Sequence, residues 1–288
     1  MRIAIITPSF KSLGWLKLCV ASVADQGVEL EHLVQDSCSP DGTPEWLATQ
    51  SGVRACVEKD RGMYDAVNRG LKKTTADLVA YINCDEQYLP GALKSVLAYF
   101  ERNPQIEVAF GDAIVVDSNG DYLCHRQALI PNRYHGMVSN NLAILTCATF
   151  MRRSVFATRG LYFNAELRDL GDAEWVSRLV QHRVKMGLLK GLTSTFTDTG
   201  DNMNLKPNAV RERAELMKQA PGWAQKFRRL LIVQHRLRRM AAGHYSSTPF
   251  SYSLFTRTSP AERVTKHVPA PTARWIRAKS PDPAGRPA

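Results

Sequence analysis

The chain has 288 residues, of which 44% are hydrophobic and 23% charged, enough for one large domain or two modest ones with a sizeable core. Its net charge of +11 is unevenly placed: from Arg211 onward there are 16 Lys and Arg against 4 Asp and Glu, whereas the first 210 residues carry 22 against 23. A neutral body with a basic tail, and six cysteines without a CxxC pair or a Cys/His cluster, argue against a nucleic-acid-reading module and a structural zinc site.

Met1 and Arg2 run straight into a β-like stretch with no signal-peptide pattern, and no apolar run approaches the roughly 20 residues of a membrane helix. The expectation is a cytoplasmic protein with reduced thiols.

Arg2–Thr7 predicts a strand buried on both faces, followed by Pro8 and Ser9. Ser12 is placed to cap a helix with Leu16, Val20 and Val23 on one face. Leu30–Gln35 predicts a second strand, ending in Asp36 and a turn, and Pro44 opens a short helix. Further strands are expected at Arg54–Val57, Leu78–Ile82 and Ile106–Phe110, with helices over Tyr64–Lys72 and Pro90–Phe100. Strand and helix alternating at this spacing predict βαβ units around a mostly parallel sheet, with helices on both faces. After Asp112 the texture changes to a hairpin about Asp117–Gly120, a long polar loop, a helix opening at Asp172 and a last strand over Lys185–Thr197. Beyond Pro207 two helical stretches are divided by Pro221 and Gly222, and from about Gly243 the Ser-, Thr- and Pro-rich chain is expected to be a flexible basic tail over 243–288.

The chemistry concentrates where strands end, since ligands of open α/β sheets bind outside the strand carboxyl ends. Asp36, Asp85 and Asp112 all stand at such ends. Asp112 alone reads as a satisfied cap or turn. Asp85 and Glu86 are adjacent carboxylates that raise each other's pKa unless a cation is shared, and oxygen ligands on a loop suit Mg²⁺ or Mn²⁺. The plain alternative is an exposed loop with solvated acids. Neither GxGxxG after the first strand nor GxxxxGK[ST] is present, so phosphates have to be held by metal and by cations such as Arg61 or Arg69. No GxSxG elbow supports hydrolase chemistry.

Three blocks, IITPSF from Ile5, VQDSCSPDGT from Val34 and EKDRGMYDAVNRGLKKTTADLVAYINCDE from Glu58, resemble in order, spacing and length those of the family 2 glycosyltransferases. The resemblance covers roughly residues 1–202. It implies an α/β fold of the GT-A type, a three-layer α/β/α sandwich with a nucleotide-sugar half over about 1–112 and an acceptor half over about 113–204, followed by a basic helical extension at 205–242. It implies an inverting, metal-dependent transfer, hexosyltransferase in type, from a nucleotide-sugar donor to a hydroxyl on a saccharide or lipid-linked saccharide. By position, Pro8, Ser9 and Asp36 fall in the pocket for the base, Asp60, Arg61 and Asp65 in the segment that closes over the nucleotide and diphosphate, and Thr7 and Asn68 among the residues that bind the nucleotide-sugar. Asn83 and Cys84 contact the nucleotide-sugar, Asp85 binds the Mn²⁺ or Mg²⁺ ion, and Glu86 contacts metal or sugar. Asn83 and Glu86 depart from the family's usual acids. GDAEWVSRL, from Gly171, resembles the block carrying the catalytic base, which puts Asp172 in that role with Glu174 and Asp169 as stand-ins. CATFMRRSVF, from Cys147, resembles the acceptor-side stretch, with Thr146 and Cys147 where His and Gln often stand.

The expected setting is assembly of exopolysaccharide, lipopolysaccharide or glycolipid. The alternative is a non-catalytic nucleotide-sugar-binding or scaffold member of the same fold. A nucleotidyltransferase on a related α/β fold usually has a Gly-rich, basic first loop, which Ser9–Gly14 does not resemble. The basic helices with Trp223, Phe227, Leu230, Leu231 and Leu237 at near-helical spacing read either as a helix packed on the domain or as an interfacial helix drawn to anionic lipid on the inner face of the membrane.

Overall fold

The computed structural model describes residues 1–139, 142–200, 207–246 and 248–275. The first half contains β1 (Ile3–Ser9), α1 (Leu13–Ala24), β2 (Leu30–Asp36), α2 (Thr43–Leu47), β3 (Arg54–Val57), α3 (Met63–Lys73), β4 (Leu78–Tyr81), β5 (Gln87–Tyr88), α4 (Ala92–Arg102), β6 (Val108–Val116), β7 (Tyr122–Arg126) and α5 (His135–Val138). The second contains β8 (Thr149–Arg152), α6 (Ser154–Ala157), α7 (Gly171–Gln181), β9 (Met186–Thr197), α8 (Pro207–Lys218), α9 (Gly222–Lys226), α10 (Arg228–Ala241), β10 (Phe250–Thr256) and β11 (Ser259–Val268).

Nine strands form one sheet in the order β3-β2-β1-β4-β8-β6-β9-β5, with β7 added to β6. Neighbours from β3 to β4 are parallel, as are β6 and β9, while β8 runs antiparallel between β4 and β6. Every residue of β1 and β4 is buried, as runs covered by helices on both faces require. One face packs Ile6, Val79 and Phe110 against α3 and α7 through Val67, Leu71, Trp175 and Leu179. The other packs Ile3, Ile5, Leu78 and Ala80 against α1 and α4 through Cys19, Val23, Val96 and Phe100. This is the expected three-layer α/β/α architecture. Gly70 lets α3 lie directly on β1, because a Cβ there would stand 2.5 Å from Ile6 Cγ2.

The strand order reverses at β1, whose chain neighbour β2 lies on one side and β4 on the other. The resulting crevice opens between the carboxyl ends of β1 and β4, at Pro8–Ser9 and Asn83–Asp85.

Four details differ from the sequence expectation. Ser12 does not cap α1: its hydroxyl bonds Phe10 O, and the Leu13 N–H goes to Asp41 Oδ2 at 3.0 Å, a carboxylate from the turn after β2. Strand β6 runs unbroken through Asp112, which is therefore mid-strand and accepts the Ala128 N–H at 2.8 Å. The CATFMRRSVF stretch contains β8, a central strand.

Finally, the expected flexible tail over 243–288 is a folded hairpin at β10 and β11. Ser251 is exposed and Ser253 half-buried, while Tyr252 and Leu254 pack on Leu89, Ile114 and Val116. Gln87 exchanges two hydrogen bonds with the Phe255 backbone, and Arg263 forks onto Asp25 at 2.5 and 2.7 Å. Residues 276–288 and the expected boundary near 204 lie outside the described residues. No described helix is long and apolar enough to cross a membrane.

Candidate active site

The crevice is a cleft of about 730 Å³, within the range of small-molecule sites. It is lined by Pro8, Ser9, Phe10, Trp15, Ser37, Asp60, Arg61, Asn83, Cys84 and Asp85, together with Thr146, Arg168, Asp169, Asp172 and Phe196. Eight of the residues expected from sequence thus meet in one space: Pro8, Ser9, Asp60, Arg61, Asn83, Cys84, Asp85 and Asp172.

Asp85 stands just beyond β4, held by its own carbonyl, which accepts the Thr197 hydroxyl. Burial raises its carboxyl to about 6. Glu86 is turned away from the cleft and buried. Its Oε2 accepts the Asn83 N–H at 2.8 Å, and Oε1 has no partner among the described residues. Burial first, then the Asp85 charge, pushes its carboxyl to about 8. Asn83 Oδ1 is a second buried oxygen without a partner among the described residues. Among the described residues no group of three His, Cys, Asp or Glu gathers to hold a metal. The donor set that fits a hard divalent ion is therefore Asp85 with the Asn83 oxygen, remaining positions being left to phosphate and water.

Across the cleft, α7 begins at Gly171, and Asp172 stands in its first turn. Its Oδ1 accepts the Ala173 N–H at 2.7 Å, and its own N–H bonds Tyr64 Oη at 3.0 Å. Burial raises the carboxyl to about 6, against the pull of these N–H groups and of a hydrogen bond from the Tyr64 hydroxyl. Tyr64 is 2% exposed and anchored by stacking on Phe163, which stacks on Trp175.

The stretch before α7 is held by a residue that sequence reasoning missed. Glu212 of α8 accepts the N–H groups of Arg168, Asp169 and Leu170 at 2.8, 3.0 and 2.9 Å. Burial pushes this carboxyl up, yet the three N–H groups outweigh it and hold it below its ordinary value. Its only sequence signal was an acid inside a strongly basic segment. Glu174 points elsewhere, forked onto Arg178 at 2.6 and 2.9 Å, so it is no stand-in for Asp172. Asp169 lines the cleft but is tied to Asn208 at 2.9 Å.

Five residues assigned to the site do not line the cleft. Thr7 is fully buried, and its hydroxyl meets His32 Nε2 at 2.9 Å. Asp36 is also fully buried, both carboxylate oxygens being taken by Ser39 at 2.8 and 2.7 Å, and its neighbour Ser37 lines the cleft instead. Asp65 accepts the Arg61 N–H and pairs with Arg69 at 3.0 Å. Asn68 is wholly committed to Phe163, donating to its carbonyl at 2.7 Å and accepting its N–H at 3.0 Å. Glu86 is the fifth, as described. These residues shape the loops around the cleft.

Arg61 reaches over the mouth to Glu166 at 3.1 Å, an exposed pair that links the two walls weakly. On the other rim the tip of the C-terminal hairpin places the Arg257 guanidinium 4.1 Å from the Trp15 ring centre.

Residues 4–160 match the glycosyl transferase family 2 domain, more than half of the chain. The chain belongs to glycosyl transferase family 2. It is 28% identical over 180 residues to a PGL/p-HBAD biosynthesis glycosyltransferase of Mycobacterium bovis (strain BCG / Pasteur 1173P2), covering 59% of this chain and 66% of that protein, just under two thirds of the relative's length. Its fold is similar to that of S. aureus TarS 1-349 solved with UDP-GlcNAc, at a TM-score of 0.59 and 17% identity over 84% of this chain and 73% of that one. It is also similar to the mannosyltransferase PcManGT of Pyrobaculum calidifontis solved with GDP-Man and Mn²⁺, at 0.54 and 14% over 81% and 68%. The three-layer sheet with its cleft at the β1/β4 crevice is thus the GT-A fold.

Proposed function

We propose that this family 2 protein transfers one sugar, with inversion, from a nucleotide-sugar to a hydroxyl of a saccharide or lipid-linked saccharide in glycoconjugate assembly. The observation that carries the reading is that Asp172 and Asp85 line one cleft. The nucleotide-sugars in the TarS and PcManGT structures and the name of the mycobacterial relative support it.

A hydroxyl attacks an anomeric carbon only if its proton has somewhere to go. The Asp172 carboxylate, buried but still ionised above about pH 6, takes that proton as the acceptor oxygen bonds to the sugar carbon. The bond from that carbon to the diphosphate breaks, and its electron pair leaves with the nucleoside diphosphate. Attack from the acceptor side opposite the leaving group inverts the centre. Arg61 and Arg168 line the cleft and bring positive charge toward the diphosphate. Asp85, with Asn83, would hold Mn²⁺ or Mg²⁺, which supplies positive charge where the leaving group gains negative charge. The outward apolar side chains of α9 and α10 extend the reading to a peripheral membrane position.

The test is a thermal-shift screen against UDP-, GDP-, dTDP- and CDP-sugars with Mn²⁺, Mg²⁺ or EDTA, followed by a transfer assay. A ligand at about 100 times its Kd adds roughly 2.7 kcal/mol of stability. Asp85→Ala should lose the metal-dependent shift, whereas Asp172→Asn should keep it and lose transfer. A folded protein that responds to no nucleotide-sugar, or an Asp172→Asn variant that transfers normally, sinks the reading.

A further inference from the structure

Helix α10 has its polarity reversed. Its two fully buried side chains are His235 and Arg239. Leu230, Val233, Leu237 and Met240 are 65%, 47%, 53% and 61% exposed, and Trp223 and Phe227, just before the helix, are 51% and 49% exposed. Spacings of three and four residues put Leu230, Val233, Leu237 and Met240 on one face, whereas Leu231 packs inward beside Leu216 and Ala224; an apolar stripe of this kind is the face a helix on a folded domain normally turns inward.

Behind that helix lies a cavity of about 460 Å³ lined by Arg228, Arg229, Arg236, Arg239, His135 and His235, with no Asp or Glu among its described lining residues. Arg239 is 5% exposed; its guanidinium lies 5.7 Å from the Tyr245 ring centre, and its Nε and Nη2 have no hydrogen-bond partner among the described residues. Both ring nitrogens of His235 are likewise without partners among the described residues, and the ring stacks on His135 at 3.7 Å. Burial and the neighbouring arginines keep His135 neutral down to about pH 4, so the cavity's positive charge comes from guanidinium groups. A buried guanidinium without a counter-charge is strongly unfavourable, and an entering anion relieves it.

Guanidinium forks match phosphate oxygens in geometry as well as charge. Nucleic acid also offers phosphates, but it leaves the exposed leucines uncovered. An anionic phospholipid answers both features. We propose that the cavity behind α10 binds the phosphate of an anionic phospholipid headgroup while the outward stripe of Leu230, Val233 and Leu237 enters the acyl boundary of the bilayer. The proposal rests on the peripheral-membrane reading above and adds to it a headgroup site.

The experiment is sedimentation of the full chain with phosphatidylcholine vesicles, with and without phosphatidylglycerol, alongside thermal shifts with inorganic phosphate. The wild-type chain should bind the anionic vesicles. Arg239→Gln should weaken that binding by at least about tenfold, beyond the roughly fivefold contributed by one cation acting through the surface potential. Leu230→Asp/Leu237→Asp should abolish it. Arg228→Gln/Arg229→Gln, changed at exposed positions, should lose more than the roughly thirtyfold that two cations contribute through the surface potential, and provides the test if Arg239→Gln does not fold. Wild-type affinity in both arginine variants overturns the headgroup site while leaving membrane binding intact. Failure of the wild-type chain to bind anionic vesicles overturns both. Stabilisation by inorganic phosphate with vesicles inert, or capture of a DNA duplex in preference to vesicles, overturns the lipid assignment.

Discussion

Tyr64 occupies the space that a side chain on Gly171 would need: a Cβ there would lie 2.5 Å from Tyr64 Cε2 and 2.7 Å from Cδ2. The glycine lets the ring pass under the start of α7 and bring its hydroxyl to the Asp172 N–H. Gly171→Ala must displace either the stacked ring or the first turn of the helix, an overpacking that costs about 1–3 kcal/mol. The expected outcome is a lowered Tm with donor KM little changed and kcat reduced at least about tenfold, because Asp172, the proposed base, moves and the Asp85 side of the cleft does not. Normal kcat in a folded Gly171→Ala enzyme would show that Tyr64 does not position Asp172.

The pH profile of transfer follows from Asp172. With its carboxyl raised to about 6 by burial, activity should climb as pH rises through that region. The Tyr64 hydrogen bond favours the carboxylate, so Tyr64→Phe should move the rising limb to higher pH. The sign for stability is opposite. A carboxyl harder to ionise in the folded than in the unfolded chain contributes stability below its unfolded pKa and loses it as pH rises through about 6. Asp172→Asn should therefore raise Tm above pH 6 while abolishing transfer. A lowered Tm at pH 8 would contradict that electrostatic account.

Glu212 ties α8 to the stretch that leads into Asp172. Its carboxylate is held below its ordinary pKa by the three N–H groups, so its contribution is present above the unfolded value and lost as pH falls through the lower folded one. Glu212→Gln puts an NH₂ where one oxygen accepted two backbone N–H groups, leaving buried donors unpaired at about 1–3 kcal/mol. The measurement is Tm against pH: the deficit should be full at pH 7 and shrink toward pH 3, with kcat reduced more than donor affinity. A pH-independent deficit would assign Glu212 to packing alone.

His32 is 3% exposed, and burial lowers it to about 3. The unfolded chain takes up a proton near pH 6.5 that the folded one refuses, so stability falls as pH drops from there toward 3. His32→Gln, which cannot titrate, should flatten the Tm profile between pH 7 and 5 relative to wild type. Parallel profiles for the two chains would mean that His32 is solvated.

Much of the cleft was legible because it depends on local order: β-branched runs, turn residues and acids at strand ends put Pro8, Ser9, Asn83 and Asp85 on one edge wherever the strands pair. The misreadings share a cause. Thr7, Asp36, Asp65 and Asn68 stand beside cleft residues in sequence, but alternation and turn geometry send their side chains into the scaffold, where His32, Ser39, Arg69 and Phe163 satisfy them. The C-terminal hairpin was hidden by composition, its serines masking the alternation of Tyr252 and Leu254.

By itself the chain's residue order determines the βαβ framework, the polarity of the strand ends and the amphipathic stripe of the last helix, since each follows from interactions between neighbours a few residues apart. Only the tertiary structure decides that Tyr64 and Gly171 meet across 107 residues, that Glu212 caps the approach to Asp172, and that β10 and β11 close the far rim. Those contacts depend on long-range packing: which apolar face docks where, and which buried polar group finds its partner there, is settled only when the whole core assembles.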